Sequence, residues 1–150
     1  MKRIMLLMLL ATLLAACSKE PVPDRIKGSY NCVARVDTRY QKGGQWRDTS
    51  YVSRTNNYVI ISKLDDSHVS IQASSKKWGD IEVATAECED YNYEANVAGL
   101  GALTHSGHTY NADVSGTIAY ESHALSVSAR ITNYPNSGGK YILTWYTTID

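Results

Sequence analysis

From Ile26 onward apolar and polar residues alternate with period two nearly everywhere, and helical signals are missing. Tyr30, Cys32, Ala34, Val36 and Tyr40 alternate with Asn31, Arg35, Asp37 and Arg39, which predicts one long strand with its polar face in water. Gln41-Lys42-Gly43-Gly44 reads as a turn and Trp46 to Ser53 as the returning strand. Tyr58 to Leu64 and His68 to Ala73 flank Asp65-Asp66-Ser67, a hairpin connector whose side chains hydrogen-bond their own backbone. Ile81 to Glu89 and Tyr91 to Val97 give one or two strands, after which Gly99-Leu100-Gly101-Ala102 breaks the pattern. Tyr110 to Tyr120, Ala124 to Thr132 and Tyr141 to Ile149 follow, the last two joined by Asn136-Ser137-Gly138-Gly139.

About eight strands with short connectors in ~125 residues predict an all-β domain: an antiparallel meander closed into a barrel, or else a β-sandwich. Closure is favoured because it removes exposed strand edges.

The first residues follow a different pattern. Lys2 and Arg3 precede an apolar run from Ile4 to Leu14, broken only by Thr12, and then Ala15 and Ala16, which reads as a secretory signal. The run is far shorter than the roughly 20 residues that span a bilayer as a helix. Leu14-Ala15-Ala16-Cys17 resembles a bacterial lipobox, in which the thiol is alkylated with diacylglycerol before a peptidase cuts in front of it. The alternative is an ordinary signal peptide with an incidental Cys. The resemblance implies lipidation of Cys17, with palmitate-class chains each contributing about 0.8 kcal/mol per buried CH₂. It divides the chain into a signal peptide over 1–16, a polar Pro-containing tether over 17–25 that stands the domain off the bilayer, and a β domain over 26–150. A spanning outer-membrane barrel of similar size would make such an anchor redundant, and Thr147-Thr148-Ile149-Asp150 ends without an aromatic.

Charge sharpens the picture once residues 1–16 are removed. The whole chain has 15 Lys+Arg against 15 Asp+Glu, and the remainder has 13 against 15, or −2. Arg25 to Lys77 holds ten basic and four acidic residues, +6, whereas Trp78 to Asp150 holds two and nine, −7. No basic footprint for nucleic acid exists, and 150 residues leave no room for a multidomain enzyme. Two readings of the uneven charge stand open: cross-strand pairing between the halves, or a bipolar surface that orients a protein partner.

Candidate chemistry is sparse. With Cys17 acylated, Cys32 and Cys88 remain in an oxidising compartment, so a disulfide is expected. It would close a loop of over fifty residues and contribute ~4 kcal/mol. In an up-and-down barrel, however, the first and fifth strands are not neighbours. Parity also turns Cys88 outward unless a bulge intervenes, and places Glu87 and Glu89 inward with Ile81 and Val83. His105-Ser106-Gly107-His108 has a metal-ligand spacing without a third or fourth ligand, so it reads as a loop and no metal is assigned. Gly99-Leu100-Gly101 lacks a phosphate-loop Lys and a following helix and reads as a linker, and no cofactor follows. Trp46, Trp78 and the Tyr91/Tyr93 pair are candidates for stacking on sugars or anchoring a partner, although strands favour aromatic residues in any case.

The lipobox, the entry Ile26-Lys27-Gly28-Ser29-Tyr30 into a first strand, the Asp65-Asp66-Ser67 hairpin and Ser115-Gly116-Thr117-Ile118 followed by Leu125-Ser126-Val127 together resemble small bacterial lipoproteins with a lipocalin-like (calycin) barrel. The resemblance is architectural and covers most of the mature chain. Gly28-Ser29-Tyr30 puts Tyr where the lipocalin Gly-x-Trp signature has Trp, so no ligand is carried over. The expectation is a non-enzymatic, lipid-anchored protein of the bacterial cell envelope, at the outer membrane on its periplasmic or surface face. It would bind a small apolar or amphipathic ligand inside the barrel, with ligand-binding residues unassigned. The alternative is a protein-interaction module, an inhibitor or accessory subunit of an envelope complex. An envelope hydrolase, which lacks any motif, stands last.

Overall fold

The computed structural model describes residues 19–131 and 139–148. Cys17, the segment 1–16 and most of the Asn136–Gly139 connector lie outside the described residues. Among the described residues one short helix, α1 (Val22–Ile26), precedes ten strands: β1 (Gly28–Asn31), β2 (Val33–Lys42), β3 (Gln45–Ser53), β4 (Asn57–Lys63), β5 (His68–Ser75), β6 (Gly79–Tyr91), β7 (Glu94–His105), β8 (His108–Ala119), β9 (Leu125–Ile131) and β10 (Lys140–Tyr146). All belong to one antiparallel sheet ordered β1-β4-β5-β6-β7-β8-β9-β10-β2-β3. The fold is therefore an all-β meander in a single curled sheet, and the two-sheet sandwich is set aside.

Ten strands stand where about eight were expected because the first predicted strand is split in two and the 81–97 stretch is two strands, the second running on to His105. Cys32 separates β1 from β2, and residues 54–56 separate β3 from β4. The first break lets one pass of chain pair with β4 at its start and with β10 and β3 further along. β1, at one end of the hydrogen-bonding order, thereby continues through Cys32 into β2, next to the other end, and the Cys32 N–H donates to Asn57 O at 3.0 Å. A barrel-like wall results.

Its concave side is packed. Val59, Ile71, Val83, Leu103, Ile118, Val127 and Leu143 are fully buried there, together with Trp145, whose indole N–H crosses to the carbonyl of Ser74 at 2.9 Å. The tight turns carry the chemistry the strands require: Gly43-Gly44 and Ser106-Gly107 both have φ > 0 at two successive positions, as two-residue hairpins demand.

The Gly99-Leu100-Gly101 stretch is strand, not linker. Ala95, Val97, Gly99, Gly101 and Leu103 share the inward parity of β7. A register shift in β6 between Glu82 and Ala86 brings that backbone so close that a Cβ on Gly101 would sit 2.8 Å from Glu82 O. Glycine is the residue that tolerates such an approach. The same bulge reverses the parity of β6. Ala86 is buried, Cys88 lies opposite buried Val97, and Glu87 and Glu89 are exposed, the reverse of the inward placement expected for the two carboxylates.

The stretch expected as an unpacked tether is packed from α1 onward. Pro23 and Ile26 are buried, Val22 lies against the core, and Tyr30 Oη donates to Ile26 O. Lys63 binds both Asp24 and Asp66, fixing α1 to the β4–β5 turn.

Candidate functional site

Strand direction sorts the turns into two groups. The β2–β3, β5–β6 and β7–β8 turns share one end of the wall, and α1 with the β4–β5, β6–β7 and β8–β9 turns shares the other.

At the first end β3 pairs with β2 only, and among the described residues its other edge carries no backbone partner. Neither parity of Gln45–Ser53 is consistently apolar, and no residue of β3 is buried. The β2–β3 hairpin holds together by cross-strand pairs. On one face Val36, Thr38 and Tyr40 stand opposite Tyr51, Thr49 and Arg47, with the two threonine hydroxyls 2.6 Å apart. On the other face Arg39 lies over the Trp46 ring at 5.1 Å and 3.9 Å from Asp48. Tyr51 is 54% exposed, Val52 44% and Trp46 39%, so this edge carries large apolar groups in water.

Tyr51 continues into an aromatic cluster. Its ring centroid is 6.1 Å from that of Trp78, which also meets the Lys77 ammonium at 4.7 Å and whose carbonyl accepts from the Tyr141 hydroxyl at 3.2 Å. His105 lies 6.0 Å from Tyr141, while His108 stacks on Tyr110. The two histidines therefore belong to separate ring pairs, and among the described residues no group of three His, Cys, Asp or Glu is placed to hold a metal. Lys42, Arg47, Arg54, Lys76 and Lys140 are exposed at this end and form no ion pair with another described residue.

At the opposite end the chain entry is clamped. Lys19 pairs with Asp90, Arg25 approaches the same carboxylate at 3.8 Å and lies 3.3 Å above the Tyr120 ring, and Tyr120 Oη donates to Asp90 at 2.7 Å. Lys19 and the Tyr120 hydroxyl hold the Asp90 carboxyl below its usual range. Burial, then Asp90, pushes the Tyr120 phenol up to about 12. Tyr91 and Tyr93 protrude beside this clamp, 60% and 82% exposed.

Cys32 and Cys88, expected as a bridge, are both free thiols. β4 and β5 lie between their strands, a separation of about 14 Å along the sheet against the 7 Å a disulfide tolerates. Burial pushes each thiol up to about 11. Pairing of the charged halves is likewise not what the structure shows. Among the described residues only Arg25–Asp90 joins the 25–77 half to the later one, and the remaining pairs, apart from Lys19–Asp90, fall within residues 24–77. The Asp65 connector does behave as expected: its carboxylate accepts the N–H groups of Ser67 and His68, both at 2.8 Å, and is held down to about 2.

Shallow grooves mark the outer wall. The one over the β6 bulge, of about 640 Å³, is lined by Glu82, Leu100 and Asp113 among others. Sequence reasoning pointed to Trp46 and Trp78 but missed that β3 is an open edge; its signal is the missing apolar parity of Gln45–Ser53. No protein-family model, curated protein or solved structure matches this chain.

Proposed function

We propose that this is a lipid-anchored protein of the bacterial cell envelope that works as a non-enzymatic interaction module, docking a partner polypeptide as an added strand on β3. The observation that carries the reading is the open edge of β3 with Trp46, Tyr51 and Val52 exposed along it. A row of unpaired backbone donors and acceptors is complementary to another extended backbone, and flanking apolar side chains supply the selectivity. The unpaired Lys42, Arg47 and Lys76 around it favour a strand bearing carboxylates. Anchorage rests on the lipobox ending at Cys17, and the likeness to calycin-type lipoproteins adds only the shape of the wall.

A small apolar ligand in the interior has less to support it, because Trp145, Leu143 and Ile118 occupy that space. The test is capture of envelope proteins by the full lipidated chain and by a Ser50→Lys/Val52→Lys variant, since lysines on an edge strand block strand addition. The variant should keep its melting temperature and lose a stoichiometric protein partner by about tenfold. Equal recovery of the same partner by both forms refutes docking at β3, and recovery of an extracted lipid or other small molecule with no protein favours the interior-ligand reading.

A further inference from the structure

The end of the wall opposite β3 carries its own apolar feature. Tyr91 and Tyr93 flank Asn92, whose φ of 55° turns β6 into β7 and leaves both phenols projecting. Leu64, 51% exposed, stands on the adjacent β4–β5 turn, which is tied to β6 by the Cys88 N–H on Ser67 O at 2.8 Å. The chain enters at this same end: Lys19 is paired to Asp90, the residue before Tyr91, and Arg25 and Tyr120 hold the other side of that carboxylate. Cys17 lies two residues before Lys19, a reach of at most roughly 7 Å even fully extended.

We infer that the Tyr91-Asn92-Tyr93 turn, with Leu64, is a second membrane contact that seats this end of the wall in the headgroup layer beside the acyl anchor. The inference rests on the lipidation of Cys17 proposed above. Tethering that short leaves the domain nowhere else to stand, and α1 is packed rather than free to act as a spacer. Tyr suits the depth, since its ring is apolar and its hydroxyl wet, which is why aromatic side chains collect at the membrane–water boundary. Glu89, Glu94 and Glu121 surround the turn, so attraction to anionic lipids is not the driving force; the contact is apolar and favours zwitterionic headgroups. The geometry also orients the molecule, with the β2–β3 hairpin pointing away from the bilayer.

The test uses the full chain processed in bacterial cells and reconstituted into phosphatidylethanolamine/phosphatidylcholine vesicles with brominated acyl chains. Tyr93→Trp, at a position 82% exposed and harmless to folding, should lose about twofold of its added emission to bromine quenching. Tyr51→Trp, at the far end, should keep its own. If vesicles carry the Tyr93→Trp protein and its emission is unquenched, the second contact is refuted while the anchor stands. If the protein does not float with vesicles and mass spectrometry finds Cys17 unacylated, the anchor reading fails and this inference with it.

Discussion

Trp145→Ala is the perturbation that asks most directly whether the wall encloses a packed interior. Trp145 is fully buried, lies in the sheet between Ala34 and Val127, and sends its indole N–H to Ser74 O across the concave side. A buried Trp removes about 150–250 Å² from water, which at ~25 cal/mol per Å² amounts to roughly 4–6 kcal/mol. Direct truncations of this kind cost about 3–5 kcal/mol. For a domain of this size each kcal/mol moves the melting temperature by roughly 3–5 °C, so Trp145→Ala should melt roughly 10–20 °C lower. Trp145→Phe keeps most of the ring and leaves the Ser74 carbonyl without its donor, a loss of about 1–3 kcal/mol. Differential scanning calorimetry with urea titration reads both. A loss below about 1 kcal/mol for the Ala variant would refute a packed interior, since it would mean that Trp145 borders a space already open.

Other consequences follow from single residues. Gly79 has φ 122° and a Cβ there would lie 2.4 Å from Thr104 O, so Gly79→Ala should cost about 2 kcal/mol or more, whereas Gly43→Ala, which meets nothing, should cost about 1 kcal/mol; equal urea midpoints would contradict the close approach. Asp65 is held at about 2 against an ordinary 3.8, so its stabilising contribution is complete above about pH 4 and is lost as pH falls toward 2. Asp65→Asn should flatten that limb of stability against pH, and an unchanged slope would assign acid sensitivity elsewhere. Cys32 and Cys88, raised to about 11, should react slowly with a thiol reagent at pH 8 in the native protein, Cys88 first because it is less buried. In denaturant without reductant both should titrate, and finding neither would establish a bridge.

Much of this architecture was legible because period-two patterning is a direct consequence of one-sided burial. The connector at Asp65, the Gly43-Gly44 turn and the last strand carrying Tyr141 are where the alternation puts them. What was not legible depended on partners distant in sequence. The β6 bulge is invisible without its neighbour, and it alone turned Cys88 inward and Glu87 and Glu89 outward. Gly99 and Gly101 read as a break because their reason is the backbone of Glu82 and Thr85 across the sheet. Nothing local to Trp145 marks it as central to the core; its burial and its hydrogen bond to β5 do. Of the candidate site, the aromatic residues were visible, but the open edge of β3 and the clamp of Lys19, Arg25 and Tyr120 on Asp90 arise only from topology.

The proposed division of labour places membrane at one end of the wall and polypeptide at the other. The most direct measurement is photocrosslinking in living cells with a benzophenone amino acid placed separately at position 51 and position 93, followed by mass analysis of the adducts. A polypeptide adduct is expected from position 51 and a phospholipid adduct from position 93. A polypeptide adduct from position 93 with none from position 51 would contradict that division.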